Sequence, residues 1–203
     1  MKWENVISLL VIALGLSGCV VYSFYPLYSE KDLFANDYLL GNYYSFEDST
    51  SWDFTYLKKK IKNNEITDST GYKLKVVENK DSSLTSYFIV HLIKIDGVLI
   101  ADFLLDDYAK KKDVRLFDFH IIPVHTFAKV IIEKDKITFK WFNGEWLKKL
   151  IEENRLCIRH ENNGEFILLT AKSAELQKFL KKYLHSEDAF KDGLEVEFAK
   201  QNK

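Results

Sequence analysis

Four places along the chain carry residue types able to do chemistry. "HIIPVHTF" holds His120 and His125, two imidazoles of the kind that bind transition metals. "RLCIRH" holds Cys157, with His160 three residues on. Asp106-Asp107 and Glu152-Glu153 are paired carboxylates, the raw material of general acid and base catalysis. Each pattern falls short at its spacing. His120 and His125 are five apart, which sends them to opposite faces of a strand, and no second cluster supplies the three or four convergent ligands zinc needs. Pro123 between them reads as a bend at a strand entry, with one histidine hydrogen-bonded at a rim. His160 is likewise misplaced to activate Cys157, whose apolar neighbours Leu156 and Ile158 predict a buried, inert thiol. Adjacent carboxylates point apart. No nucleophile elbow, phosphate loop or Cys-His motif appears, so neither an enzyme nor a cofactor is expected.

A fifth residue carries chemistry of another kind. Val6 to Leu16 is an apolar run preceded by Lys2 and followed by small residues. It is too short to span a hydrocarbon core about 30 Å thick, which takes about 20 helical residues, and it has the length of a signal-peptide core. Leu16-Ser17-Gly18-Cys19 at its end resembles the bacterial lipobox. That resemblance implies acylation of Cys19, palmitate included, removal of residues 1–18, and a lipid-anchored place in the bacterial cell envelope. Val20 to Tyr25 then form an apolar, aromatic lead-in where a polar tether is usual. Tyrosine favours membrane interfaces, so residues 20–34 read as a juxtamembrane apolar lead-in that either sits at the interface or packs on the barrel and holds the domain close to the bilayer.

Residues 19–203 are long enough for one domain with a real core. Lysine and arginine number 29 against 30 aspartates and glutamates, a net charge of −1, which offers no electrostatic case for nucleic acid. Lys58–Lys60 and Lys110–Lys112 read as solvated loop surface. Only 2 prolines and 8 glycines leave no room for a long linker.

Alternation with period two dominates. "SWDFTYL" puts Trp52, Phe54 and Tyr56 on one face; "GYKLKVV" does the same for Tyr72, Leu74 and Val76, and "KITFKWF" for Ile137, Phe139 and Trp141. Residues 84–95 and 97–105 meet at Asp96-Gly97, a strong hairpin signal. Residues 124–133 pair with "KITFKWF" across Lys134-Asp135, "LCIRH" pairs with "GEFILLT", and "GNYYSF" (41–46) adds a further strand. About eight or nine strands result. Two helices interrupt or follow them, one capped by Asn143 and one an amphipathic C-terminal helix from Ser173.

Serial antiparallel strands of this kind predict a mainly β fold, a barrel or sandwich. "LLGNYYSFEDSTSWDFTYL" resembles the opening of lipocalin-like barrels, with Gly41 at the glycine and Tyr43 in place of the tryptophan of Gly-x-Trp. "YPLYSEKDL" (25–33), "IIPVHTF" (121–127), "WLKKLIEEN" (146–154) and "LLTAKSAELQKFL" (168–180) resemble a family of uncharacterised bacterial lipoproteins, which implies no activity. The expected fold is therefore a lipocalin-like antiparallel barrel, its order broken by an inserted helix that leaves the barrel incomplete. Trp52, Phe54, Tyr72, Phe88, Phe139 and Trp141 are the candidate lining of an apolar ligand site. Six large rings more readily fill a small barrel than line a cavity. The expected role is a non-catalytic binding or assembly-support module of unknown partner, a protein or a small apolar ligand. The second choice is a carrier of a small apolar ligand.

Overall fold

A computed structural model describes residues 20–34, 37–61, 64–78, 84–106 and 120–201. Cys19, Asp107 and Lys110–Lys112 lie outside the described residues.

Eight strands close into an antiparallel barrel: β2 (Gly41–Ser45), β3 (Thr50–Ile61), β4 (Asn64–Val77), β5 (Thr85–Ile95), β6 (Val98–Leu105), β7 (His125–Ile132), β8 (Lys136–Trp141) and β11 (Glu195–Lys200). Each pairs with the next in that order, and β11 returns to β2 with Ala199 opposite Tyr44. The fold is mainly β and lipocalin-like, and the barrel is complete, contrary to the expectation of a gap. The missing wall is β11, whose Val196 and Phe198 alternate with Glu195 and Glu197. The helix expected to end the domain precedes this strand. Three short strands extend the wall outward from β7: β1 (Tyr22–Ser23), β10 (Ile167–Leu169) and β9 (His160–Asn162).

Turn chemistry sets the register where the sequence is most explicit. Asp96 and Gly97 adopt φ of 48° and 83°, the left-handed pair that a two-residue hairpin requires. β3 and β4 run past the barrel as a long ribbon, and their register shifts between Tyr56 and Leu57. Lys58 and Lys59 therefore sit on a strand and not in a loop, paired at 3.1 Å with Glu65 and 2.5 Å with Asp68. Gly41 lies just past a 3-10 turn at Asp37–Leu39, and Tyr43 packs edge-on against Phe54 with ring centroids 6.0 Å apart.

Helix α1 (Gly144–Glu152) starts as expected, with Asn143 Oδ1 accepting from the amides of Glu145 and Trp146. Helix α2 (Ser173–Tyr183) docks by Leu176, Phe179 and Leu180, all buried. Two cores result. One fills the barrel; the other lies outside it, between the outer face of β5 to β7, the lead-in and the two helices.

Candidate functional site

The inward faces of β3, β4, β6, β8 and β11 bring the predicted aromatics together. Trp52 lies 4.4 Å from Phe198 and 5.2 Å from Phe139, centroid to centroid. Phe139 also meets Phe103 at 5.6 Å, Trp141 at 6.1 Å and Phe54 at 6.2 Å; Phe54 reaches Tyr72 at 6.3 Å. These are the spacings of aromatic pairs in contact. Tyr72 and Phe139 are fully buried, and Trp52, Phe54 and Trp141 nearly so. Phe88 is half-buried and packs on the same cluster from one end of the barrel. Sequence reasoning did not include Phe103 or Phe198, which complete the packing. The barrel axis is thus occupied by side chains in mutual contact.

A second arrangement lies on the outer barrel face. Asp102 on β6 and His125 on β7 are both buried, with Asp102 Oδ1 2.6 Å from His125 Nδ1. The other carboxylate oxygen accepts the Leu27 amide at 2.7 Å. Burial pushes the Asp102 carboxyl above its ordinary range, and the hydrogen bond and charge of His125 pull the other way. Ser23 stands opposite His125 in the β1–β7 register, but its hydroxyl donates to Tyr25 O at 2.8 Å. The one serine beside the pair is thus not aimed at the imidazole. Both carboxylate oxygens are committed, so the group acts as a clasp on the lead-in. Further bonds hold the same segment. Ser173 Oγ donates to Pro26 O at 2.7 Å, Gln177 Nε2 to Leu27 O at 2.9 Å, and the Phe24 amide to Leu169 O at 2.8 Å.

His91 on β5 completes this region, its ring 4.3 Å from that of Tyr28. Burial drives the His91 pKa down to about 4, with Asp68 opposing the shift and the nearby His125 adding to it. Burial, with the Asp102 charge, pushes Tyr28 up to about 12. The denatured chain takes up the His91 proton near the ordinary value of about 6.5, whereas the folded protein resists it until about 4. Between those values the denatured state binds more protons, so stability is full above about 6.5 and falls as pH drops toward 4. His91→Phe keeps a ring on Tyr28 and removes the titration. The gap in melting temperature between wild type and this variant should therefore change in wild type's disfavour from pH 7 to pH 4. A constant gap would show that His91 titrates normally.

The histidines of "HIIPVHTF" part company, but not by strand alternation: β7 begins only at His125, so His120 is not on that strand. His125 is held in the clasp, while His120 is exposed. Cys157 is exposed, contrary to its apolar flanks, because Leu156 and Ile158 turn inward while the thiol faces out beside α2. Among the described residues no group of three metal-ligating side chains converges.

The third feature is an outward apolar surface. Tyr22, Phe24, Ile122 and Phe166 line an open groove beside β1, flanked by His120 and Lys148. Phe24, Ile122 and Phe166 are 47%, 67% and 46% exposed, unusual for side chains of this size. Tyr22 braces Phe166 edge-on at 6.3 Å.

No protein-family model, no curated protein and no solved structure matches this chain.

Proposed function

We propose that this chain is a lipid-anchored bacterial lipoprotein, attached at Cys19, whose barrel serves as a rigid, non-catalytic binding or assembly-support module. The observation that carries the reading is the distribution of aromatic surface. Inside the barrel the rings are spent on one another. Outside, beside the residues just after Cys19, large apolar side chains face solvent. An apolar carrier is built the other way round, with its free apolar surface enclosed.

The lead-in adds a mechanical argument. Val20 leads almost directly into β1, and the clasp at Asp102 fixes Leu27 to the barrel wall. An anchor at Cys19 would thus hold the domain without a flexible stalk, as suits a part that must present one face at a set distance from the bilayer. The lipobox resemblance and the short apolar run supply the anchor. Attached acyl chains add about 0.8 kcal/mol per buried methylene, so several chains make attachment effectively permanent.

Membrane fractionation with a labelled fatty-acid analogue tests the reading. Wild type should take up the label and sediment with membranes. Cys19→Ser should take up none and accumulate as the longer precursor. Equal labelling of the two would remove the anchor from this account.

A further inference from the structure

We propose that the end of the barrel from which β6 leaves and β7 enters is a bilayer-contact surface, with Phe24, Ile122 and Phe166 set into the boundary between headgroups and acyl chains. The proposal rests on the lipid-anchor reading and names what the exposed face touches.

Strand direction carries the argument. In a closed antiparallel barrel the connections alternate between two ends. The β2–β3, β4–β5, β6–β7 and β8–β11 connections share one end, and β3–β4, β5–β6 and β7–β8 share the other. Phe46 belongs to the first of these, Leu84 to the second, Ile122 to the third and Leu194 to the fourth, while Phe166, within the long β8–β11 connection, lines the same groove as Ile122. Phe24 lies just past β1, whose Ser23 is paired with His125 at the entry of β7, the same end. Of the large hydrophobic side chains exposed among the described residues, only Ile66 lies at the opposite end. That opposite end carries exposed charge at Lys94, Asp96, Glu133, Lys134 and Asp135. Among the described residues the exposed large hydrophobic side chains are therefore concentrated at one end of the barrel.

Chain length fixes which surface this apolar end can meet. Cys19 is three residues from Tyr22, and three extended residues span only about 10 Å. A lipid on Cys19 cannot enter a bilayer without bringing Tyr22, one wall of the groove that Phe24, Ile122 and Phe166 also line, within about that distance of it. Among the described residues the acidic Glu47, Asp48 and Glu165 stand exposed at the same end, with Lys148 at the groove, so the proposed contact depends mainly on apolar insertion. Zwitterionic lipid suffices, and the contact should be insensitive to salt.

Cysteine content makes the test clean. With Cys19 acylated and Cys157→Ser in place, an introduced cysteine is the one reactive thiol. Ile122→Cys, Phe166→Cys and, as the control, Ile66→Cys each carry an environment-sensitive fluorophore in the full chain, reconstituted in phosphatidylethanolamine–phosphatidylcholine vesicles with and without brominated acyl chains. Quenching at 122 and 166 should exceed that at 66 several-fold, at low salt and at high salt alike. Equal quenching at all three sites overturns the proposal, and so does quenching that appears only with a protein partner or a second copy added. Failure of the anchor reading shows separately, as two labelled thiols per chain instead of one. In that case the same chains are offered to vesicles, and the proposal falls if 122 and 166 are not quenched on binding.

Discussion

Asp102→Ala should cost about 3–5 kcal/mol of stability, the usual loss when one partner of a buried, hydrogen-bonded pair is removed. The carboxylate is 1% exposed and serves two donors from separate segments, Leu27 and His125. Truncation leaves both in an apolar setting without a partner, and each unmet buried donor costs about 1–3 kcal/mol. Asp102→Asn retains an acceptor oxygen and should lose less. The structural consequence is local as well as global. Residues 20–34 should peel away before the barrel opens, so tryptic cleavage at the exposed Lys31 should quicken in Asp102→Ala under conditions where denaturant melts still report a folded barrel. If melting is unchanged and cleavage at Lys31 is no faster, Asp102 does not clasp the lead-in.

Trp141→Ala should cost about 3–5 kcal/mol, because the void it leaves is walled by rings already in contact and cannot close. Trp141 touches Phe103 at 5.4 Å and Phe139 at 6.1 Å, and its indole N–H donates to Thr126 Oγ1 at 3.3 Å. Wild type should show no saturable binding of a fluorescent fatty acid. The variant, with an apolar cavity opened, should acquire weak affinity for a small apolar probe, as engineered cavities of this kind do. The reverse pattern, micromolar binding by wild type that the variant loses while still folded, would make the barrel a carrier.

How far these features are legible in the sequence depends on distance along the chain. Period-two patterns such as Trp52, Phe54 and Tyr56 name the inward face, because a pleated strand with one buried face admits no other reading. The Asp96-Gly97 turn is equally plain. β11 escapes a local reading although Val196 and Phe198 alternate cleanly with two glutamates; the strand is short, and the helices before it look like the end of the domain. Asp102 escapes within "GVLIADFLL", where a single carboxylate among buried hydrophobics is itself the clue. Its partner stands across a strand pairing, and its second donor comes from the lead-in, and neither relation is local. The end-to-end division of apolar and charged connections needs the strand order before it can be read at all. Cys157 shows the opposite failure. Local hydropathy predicts burial, and the geometry beside α2 turns the thiol outward.

The position of β11 has a consequence for how the molecule is made. The wall between β2 and β8 is supplied by residues 195–200, some 150 residues after β2. A chain delivered N-terminus first presents β2 and β8 as bare edges until that last segment arrives, and such edges invite pairing with other chains. Pairing over so long a separation is also slow. Folding is thus bound to the order of synthesis: the N-terminal segment arrives first, the cylinder stays open until residues 195–200 are made, and that strand seals it. Loss of residues 195–200 would remove little mass and leave an unsealed sheet prone to self-association.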